Sequence, residues 1–192
     1  LSRLMNLPHR WRTADAAFVP DVDPTFRAAD RVWVVGDGAG IGGAALARVR
    51  GEIAGLQIVA DLTGQDTADR LGAATARASR LAKARPLVER LYPARSVSAF
   101  ADEDTVLCRC EGVTFGAVRA AVRADATGPN RVKAFTRCGM GPCQGRMCAN
   151  PLTRLMAEEL SAHPETVGAL RIRPPLKPIL VGDYLTLDTA DP

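Results

Sequence analysis

The hydrophobic pattern first becomes regular at residues 31–35, a short apolar run that is rich in β-branched side chains and leads into a glycine-rich stretch at residues 36–40. This pattern predicts a buried strand that enters a tight turn. We expect a helix over residues 41–56, where glycine and alanine allow close packing against a sheet or a ligand. Residues 1–30 are polar and interrupted by prolines, which predicts irregular structure.

Helical periodicity returns over residues 67–90, where Thr67 is a candidate N-cap and Pro86 is expected to kink or divide the helix. One face of this helix is apolar, whereas the other carries several basic residues. The apolar positions are Leu71, Ala74, Ala78 and Leu81. We therefore predict a solvated helix that connects two modules.

A different pattern begins near Thr105, where a short apolar run precedes a helix that Thr114 caps and residues 128–130 end. A second short helix follows, and a third is expected to start near Pro142, because proline suits the first helical position. This pattern predicts a compact all-helical unit. Several prolines exclude a helix over residues 171–180, so we expect an extended segment there.

The composition excludes several classes of protein. The chain has 192 residues, of which 47% are hydrophobic, so it can form one sizeable core or two small ones. Its formal net charge of +4 comes without a block of basic residues, and only 5% of residues are aromatic, which argues against nucleic-acid binding. No apolar run reaches the roughly eighteen residues of a membrane span. No secretory signal is recognised, so we expect a cytoplasmic location.

The most specific chemical signal is the spacing of the cysteines. Four of the five form two close pairs, Cys108 with Cys110 and Cys138 with Cys143. Such clustering favours metal binding over disulfides in a cytoplasmic chain, and two pairs supply the four thiolates of a metal centre. The narrow first pair, and the loop at residues 139–142 whose N–H groups are free to bind bridging sulfides, favour a [2Fe–2S] cluster. Structural zinc is the alternative.

The fifth cysteine, Cys148, is expected to play no part in this centre. It follows Cys143 by five residues on the predicted third helix, which rotates the two side chains about 140° apart. We therefore predict that Cys148 is a small buried hydrophobe.

The glycine-rich turn is the second candidate site. It matches a dinucleotide-binding fingerprint only weakly, because no βαβ unit with a later acidic residue is evident. Asp37 follows Gly36 at the end of the predicted strand, where its carboxylate is suited to accept hydrogen bonds from a polyol. The helix that begins near Ile41 and Gly42 would direct its positive end at a phosphate or a reduced flavin. A turn without a ligand is the alternative.

Two stretches, residues 108–114 and 133–148, together resemble the [2Fe–2S] domain of bacterioferritin-associated-ferredoxin-like proteins. The resemblance is to the version found in the α subunits of opine oxidase, hydroxyproline dehydrogenase and hydrogen cyanide synthase. Stand-alone members of the family place two residues within their second cysteine pair, whereas four residues separate Cys138 from Cys143.

The glycine turn also resembles a known motif. Residues 34–43 are similar to the second FAD-binding motif of flavoproteins that have two dinucleotide-binding domains. This resemblance implies that Asp37 binds the ribityl chain of FAD and that the following helix points at the isoalloxazine ring. The implied contacts with FAD are Gly36, Asp37, Ile41 and Gly42, and the implied metal ligands are Cys108, Cys110, Cys138 and Cys143.

The resemblance implies an α+β chain that corresponds to the C-terminal portion of such an α subunit. Residues 1–64 are expected to be the C-terminal piece of a Rossmann-like FAD-binding domain, and residues 65–103 a helical linker. Residues 104–163 are expected to form the small all-helical [2Fe–2S] domain, and residues 164–192 an extended proline-rich tail.

The implied function is electron transfer within an FAD-dependent amino-acid or opine dehydrogenase. An FAD-containing β subunit is the expected partner, and this chain would relay electrons from a flavin through the cluster to an acceptor. The chain itself offers no credible set of catalytic groups, since His9 and His163 are isolated. The alternative is a non-enzymatic iron–sulfur or zinc module that delivers electrons or metal or mediates protein interaction.

Overall fold

The computed structural model describes residues 1–96 and 98–185. These residues fall into two compact units, one spanning Ser2–Arg95 and the other beginning at Ser96. The division therefore lies inside the region that was assigned to a linker, residues 65–103. No helix in the described ranges is both long enough and apolar enough to cross a membrane.

The first unit begins with two antiparallel hairpins. Their strands are β1 (His9–Arg12) with β2 (Ala17–Pro20), and β3 (Arg27–Ala29) with β4 (Val32–Trp33). The ring of Trp11 meets the ring of Phe18 edge to face across the first hairpin. The prediction of irregular structure over residues 1–30 is therefore wrong, because such short, half-exposed strands leave little hydrophobic alternation in the sequence.

The predicted buried strand at residues 31–35 is reduced to β4, which is half-buried and pairs with β3. Residues Gly36–Ala39 follow it as a single 3-10 turn. Every sheet in the described ranges is a two-stranded antiparallel pair. The Rossmann-like part of the predicted fold, which requires parallel strands, is therefore not confirmed.

Three helices complete the first unit. They are α1 (Ala44–Thr63), α2 (Ala68–Ala82) and α3 (Arg85–Leu91). α1 begins at Ala44 rather than near Ile41, because Gly43 has a φ of 88°, which is outside helical geometry. Ile53 of α1 packs with Ala74 of α2 in a small apolar core, so α2 belongs to this unit instead of forming a solvated connection. Pro86 lies in the first turn of α3 and separates it from α2.

The second unit combines one hairpin with several helices. The hairpin consists of β5 (Val106–Cys108) and β6 (Val113–Thr114). The helices are α4 (Phe115–Arg123), α5 (Pro129–Thr136), α6 (Ala149–Glu159), α7 (Pro164–Val167) and α8 (Val181–Leu185). The prediction of an all-helical unit is wrong at the hairpin. Thr114 caps α4 as predicted, since its hydroxyl oxygen accepts the N–H of Ala117 at 3.2 Å.

The segment between α5 and α6 is a loop, although a third helix is predicted to start there. Arg137, Gly139, Gln144 and Gly145 all have positive φ values, which interrupt helical geometry. α6 consequently begins at Ala149. This loop carries the second predicted cysteine pair.

The core of the second unit lies where the hairpin meets α4, α5 and α6. Val118, Val132 and Leu152 are fully buried in it. Leu170, which follows α7 in the predicted tail, belongs to the same core and is 2% exposed. α7 and α8 both lie within residues 164–192, so the prediction of an extended tail is wrong at these two short helices. Between Leu170 and α8 there is no helix, as the prolines predict, and residues 186–192 lie outside the described residues.

Candidate functional site

Three segments of the second unit bring all five cysteines into one region. Cys108 and Cys110 come from the hairpin, Cys138 and Cys143 from the loop after α5, and Cys148 from the residue that precedes α6. All five are free thiols. The two predicted pairs therefore meet, and a fifth sulfur joins them.

The buried part of this region is formed by Cys108, Cys138 and Cys148, which are at most 1% exposed. Their Sγ atoms all lie within 4.8 Å of one another. Sulfur ligands of one tetrahedral metal are about 3.8 Å apart when each metal–sulfur bond is about 2.3 Å, so small shifts suffice for neighbouring thiols to share a centre. The donor set present thus fits a thiolate-bound metal or cluster.

Hydrogen bonding makes the buried thiols unequal. The bond that Cys138 donates, together with a weaker contribution from Cys108, lowers the pKa of Cys148 to about 6. The same bond between Cys138 and Cys148, reinforced by burial, raises the pKa of Cys138. Of this pair, Cys148 is the thiol whose surroundings favour the thiolate, which is the form in which cysteine binds metal.

The more accessible part of the region is formed by Cys110 and Cys143, whose thiols hydrogen-bond to each other. The backbone N–H of Met147 donates to the sulfur of Cys143 and is the main cause of its lowered pKa, with a further contribution from the N–H of Gly145. The backbone N–H of Cys143 in turn donates to the sulfur of Cys110. Backbone donors aimed at sulfur stabilise negative charge on a thiolate.

The two parts of the region are adjacent. Cys110 is close enough to Cys108 for their charges to interact. Cys143 is likewise close enough to Cys148 for a charge interaction. Cys108 also hydrogen-bonds to Cys148. Two hydrogen bonds and two charge interactions therefore link these four sulfurs in a ring, and Cys138 contacts Cys108 and Cys148.

The prediction that Cys148 is buried is confirmed, but the reason for separating it from the centre is wrong. That reason requires a helix through residues 143–148, whereas the positive φ values of Gln144 and Gly145 make this stretch a turn. α6 starts only after Cys148. The sequence does contain a regularity that includes Cys148, because Cys138, Cys143 and Cys148 follow one another at equal intervals.

The cysteine loop is shaped by its packing against Leu170. Gly139 and Gly145 both have positive φ values, and both lie against the Leu170 side chain. A Cβ atom at position 145 would lie 2.7 Å from Cδ2 of Leu170, and one at position 139 would overlap the same methyl group. The close approach and the backbone conformation both require glycine.

The glycine turn of the first unit is held by hydrogen bonds to carboxylates. One carboxylate oxygen of Asp37 accepts the N–H of Gly42 at 2.9 Å and the N–H of Gly43 at 3.1 Å. These bonds, the one from Gly42 first, lower the pKa of Asp37. The N–H of Ile41 donates to Oδ2 of Asp15 at 3.3 Å.

The predicted flavin contacts Gly36, Asp37, Ile41 and Gly42 therefore lie together on one turn. Asp37 is exposed, and no side chain caps the N-terminus of α1 just beyond it. The N–H groups of Ile41 and Gly42, however, donate to carboxylates of the chain itself. Contact of this turn with a flavin stays a prediction.

Comparison with known proteins supports the role of the cysteine region. The family model of the BFD-like [2Fe-2S] binding domain matches residues 106–158, which include all five cysteines. The chain is 44% identical over 191 residues to the A subunit of opine oxidase from Rhizobium meliloti (strain 1021). It is 35% identical over 163 residues to the HcnB subunit of hydrogen cyanide synthase from Pseudomonas aeruginosa.

These similarities extend over most of this chain but over a smaller part of the relatives. The alignments cover 97% and 82% of this chain, and 41% and 34% of the two relatives. The crystal structure of L-proline dehydrogenase from P. horikoshii matches with a TM-score of 0.69 and 21% identity, over 91% of this chain and 34% of that one. The chain thus shares its fold with part of that enzyme, and its resemblance to the opine oxidase protein is confirmed.

Proposed function

We propose that this chain transfers electrons within a flavin-dependent dehydrogenase. We also propose that its cysteines hold a [2Fe–2S] cluster. The observation that carries the proposal is the convergence of thiols from three segments within the range that matches the BFD-like domain. When bound, such a cluster takes up and releases single electrons, which suits it to link a two-electron flavin to a one-electron acceptor.

Three ligands in our proposal, Cys108, Cys110 and Cys143, are those that the cysteine spacing predicts. For the fourth we propose Cys148, because it completes the ring of neighbouring sulfurs and because its pKa is the one that its surroundings lower to about 6. Cys138, the fourth ligand predicted from the sequence, is the alternative. In our assignment Cys138 stays a buried thiol beside the ligands.

The chain's own groups prepare this site for negative sulfur. Backbone N–H groups of Met147, Gly145 and Cys143 donate to the sulfurs of the accessible pair. Cys108 and Cys148 are buried in the core, whereas Cys110 is exposed. A cluster held here would therefore be shielded on one side and would approach the surface at Cys110, where an electron partner has access.

We also propose that the turn with Gly36, Asp37, Ile41 and Gly42 contacts FAD in the assembled enzyme. The exposed carboxylate of Asp37 and the uncapped N-terminus of α1 support this, because they offer an acceptor for a polyol and a positive end for an anion. In this proposal the N–H groups of Ile41 and Gly42 orient the carboxylates that they already bind.

The activity of the whole enzyme is a proposal as well, since the chain spans 41% of the length of the Rhizobium meliloti opine oxidase protein. Because the relatives named here are subunits, we propose a partner subunit that carries FAD and oxidises an amino acid or an opine. In this arrangement the present chain accepts the electrons and passes them to an acceptor. In this proposal the acid, base or nucleophile for the oxidation itself comes from the partner subunit.

Metal and flavin analysis of the anaerobically purified chain tests these proposals separately. We expect iron and acid-labile sulfide in equal amounts, two of each per chain. Zinc without sulfide would instead show that the thiols serve a structural metal site and would refute electron transfer. Flavin that co-purifies with the wild-type chain but is lost on Asp37→Ala substitution would support the turn's role.

A further inference from the structure

A second site lies beside the cysteine loop. A cavity of about 500 Å³ opens between α5, the cysteine loop and the segment that follows α7. Its walls carry Lys133 and Arg137 from the region of α5, Gln144 from the loop and Arg173 from the later segment. The volume is in the range of pockets that hold small organic ligands.

The residues that line this cavity carry more positive than negative charge. Lys133, Arg137 and Arg173 contribute three positive charges, and the lining includes no carboxylate. The carboxylate of Glu111 pairs with Nε of Arg137 at 2.9 Å, so it offsets one of these three positive charges. Two positive charges are left within one small concave space.

The remaining two cations repel each other. Burial, together with the charge of Arg173, lowers the pKa of Lys133, and the charge of Cys148 only partly opposes this shift. Arg173 has no ion-pair partner among residues 1–96 and 98–185. A bound anion would relieve this repulsion, and a guanidinium and an ammonium are the groups that proteins use to bind phosphate and carboxylate.

Hydrogen bonds connect the segments that form the walls of the cavity. The N–H of Arg171 donates to Oδ1 of Asn130 at 2.9 Å, and Nζ of Lys133 donates to the carbonyl of Arg171 at 3.3 Å. Farther along, Nη2 of Arg146 donates to the carbonyl of Leu176 at 3.0 Å. These bonds hold Arg173 against α5.

We propose that this cavity binds a small organic molecule with two negative charges, carried by phosphoryl or carboxylate groups. Lys133 and Arg173 bind the charged groups, since Lys133 retains donors beyond the one that it gives to Arg171. The amide of Gln144 supplies a further polar contact. A concave space of this size, with walls from three segments, fits a small molecule better than a flat protein surface.

Calorimetric titration of the full chain tests this proposal, with phenyl phosphate as the phosphoryl probe and succinate as the carboxylate probe, each of which carries about two negative charges at neutral pH. We expect saturable binding of at least one probe, and the probe that binds identifies the class of charged group. Arg173→Gln and Lys133→Gln should each weaken binding at least about tenfold, because each removes a charge-assisted hydrogen bond. Arg131→Gln is the matched control, since Arg131 is exposed on the same helix but is not part of the lining.

Three results would overturn the proposal. They are the failure of both probes to bind saturably, wild-type affinity in both pocket variants, and an equal loss of affinity in the Arg131 control. The last would indicate attraction to the overall charge of the chain rather than a site. The analysis of iron and sulfide is a separate measurement, so failure of this titration would leave the cluster proposal intact.

Discussion

Gly141 lies so close to Cys110 that a Cβ atom at position 141 would overlap the Cβ atom of Cys110. The same Cβ atom would also lie 3.3 Å from the sulfur of Cys110. The hairpin and the cysteine loop therefore meet at backbone level, and this contact brings the two cysteine pairs together. Only a residue without a side chain permits it.

Gly141→Ala should consequently separate the two pairs and abolish cluster binding, while the rest of the chain stays folded. Gly141 is not one of the glycines with a positive φ, so the effect should come from the contact and not from backbone strain. Iron content and circular dichroism measure the two outcomes. Gly72→Ala is the control, because a Cβ atom there meets nothing within 4 Å, and it should leave the iron content unchanged. Full iron content in Gly141→Ala would show that the contact is dispensable.

Serine substitution of Cys138 and Cys148 decides the fourth ligand. We expect Cys148→Ser to lose most of its iron and sulfide, because Cys148 closes the ring of neighbouring sulfurs. Cys138→Ser should keep the cluster with a modest loss of stability, since Cys138 contacts the ring from the core. Cys110→Ser provides the reference for loss of a ligand. If Cys148→Ser kept its iron and Cys138→Ser lost it, Cys138 and not Cys148 would be the fourth ligand.

The sequence predicted the chemistry of the cysteine region better than its geometry. Close spacing of Cys108 with Cys110, and of Cys138 with Cys143, is a local property, so it predicts a metal site without any knowledge of the fold. The position of Cys148 depends on whether residues 143–148 form a helix, and proline at 142 favours one. The turn forms instead, because the loop must pack its glycines against Leu170, a contact that sequence periodicity does not reveal.

The first unit shows a similar limit. The break between α2 and α3 at Pro86 is predicted correctly, because proline is a local signal. A helix after the glycine turn is also predicted, over residues 41–56, whereas α1 spans Ala44–Thr63. The hairpins were missed because their strands have two to four residues and are mostly half-exposed. The packing of α2 on α1 was missed because Ala74 and Leu71 form only a thin apolar stripe among arginines.

Leu170 should be the most important residue of the segment after α7. Its side chain is 2% exposed and packs against Gly139 and Gly145. Leu170→Ala should lower the free energy of unfolding by about 2–5 kcal/mol, the usual cost of a cavity in a core. Urea denaturation measures this loss. Leu180→Ala, at a position that is 73% exposed, should change the free energy by less than about 0.5 kcal/mol. Equal effects of the two substitutions would contradict the packing described for Leu170.

Asp15 should stabilise the first unit through buried charge pairs. Its side chain is 2% exposed, and it pairs with Arg12 at 3.0 Å and accepts the N–H of Ile41 at 3.3 Å. Asp15→Ala should lower the free energy of unfolding by about 1–3 kcal/mol, because the N–H of Ile41 loses its acceptor and Arg12 keeps only its pair with Glu89. Asp30→Ala removes an exposed pair with Arg27 and should cost less than about 1 kcal/mol. Chemical denaturation of both variants measures the difference, and equal losses would contradict the account.

Electron paramagnetic resonance of the dithionite-reduced chain tests the central claim most directly. If thiols from the hairpin, the loop and the start of α6 hold a [2Fe–2S] cluster, reduction should produce one unpaired electron for every two irons. The signal should disappear in Cys110→Ser and Cys143→Ser. A chain that contains its full metal content but gives no signal on reduction, with zinc in place of iron, would contradict the claim.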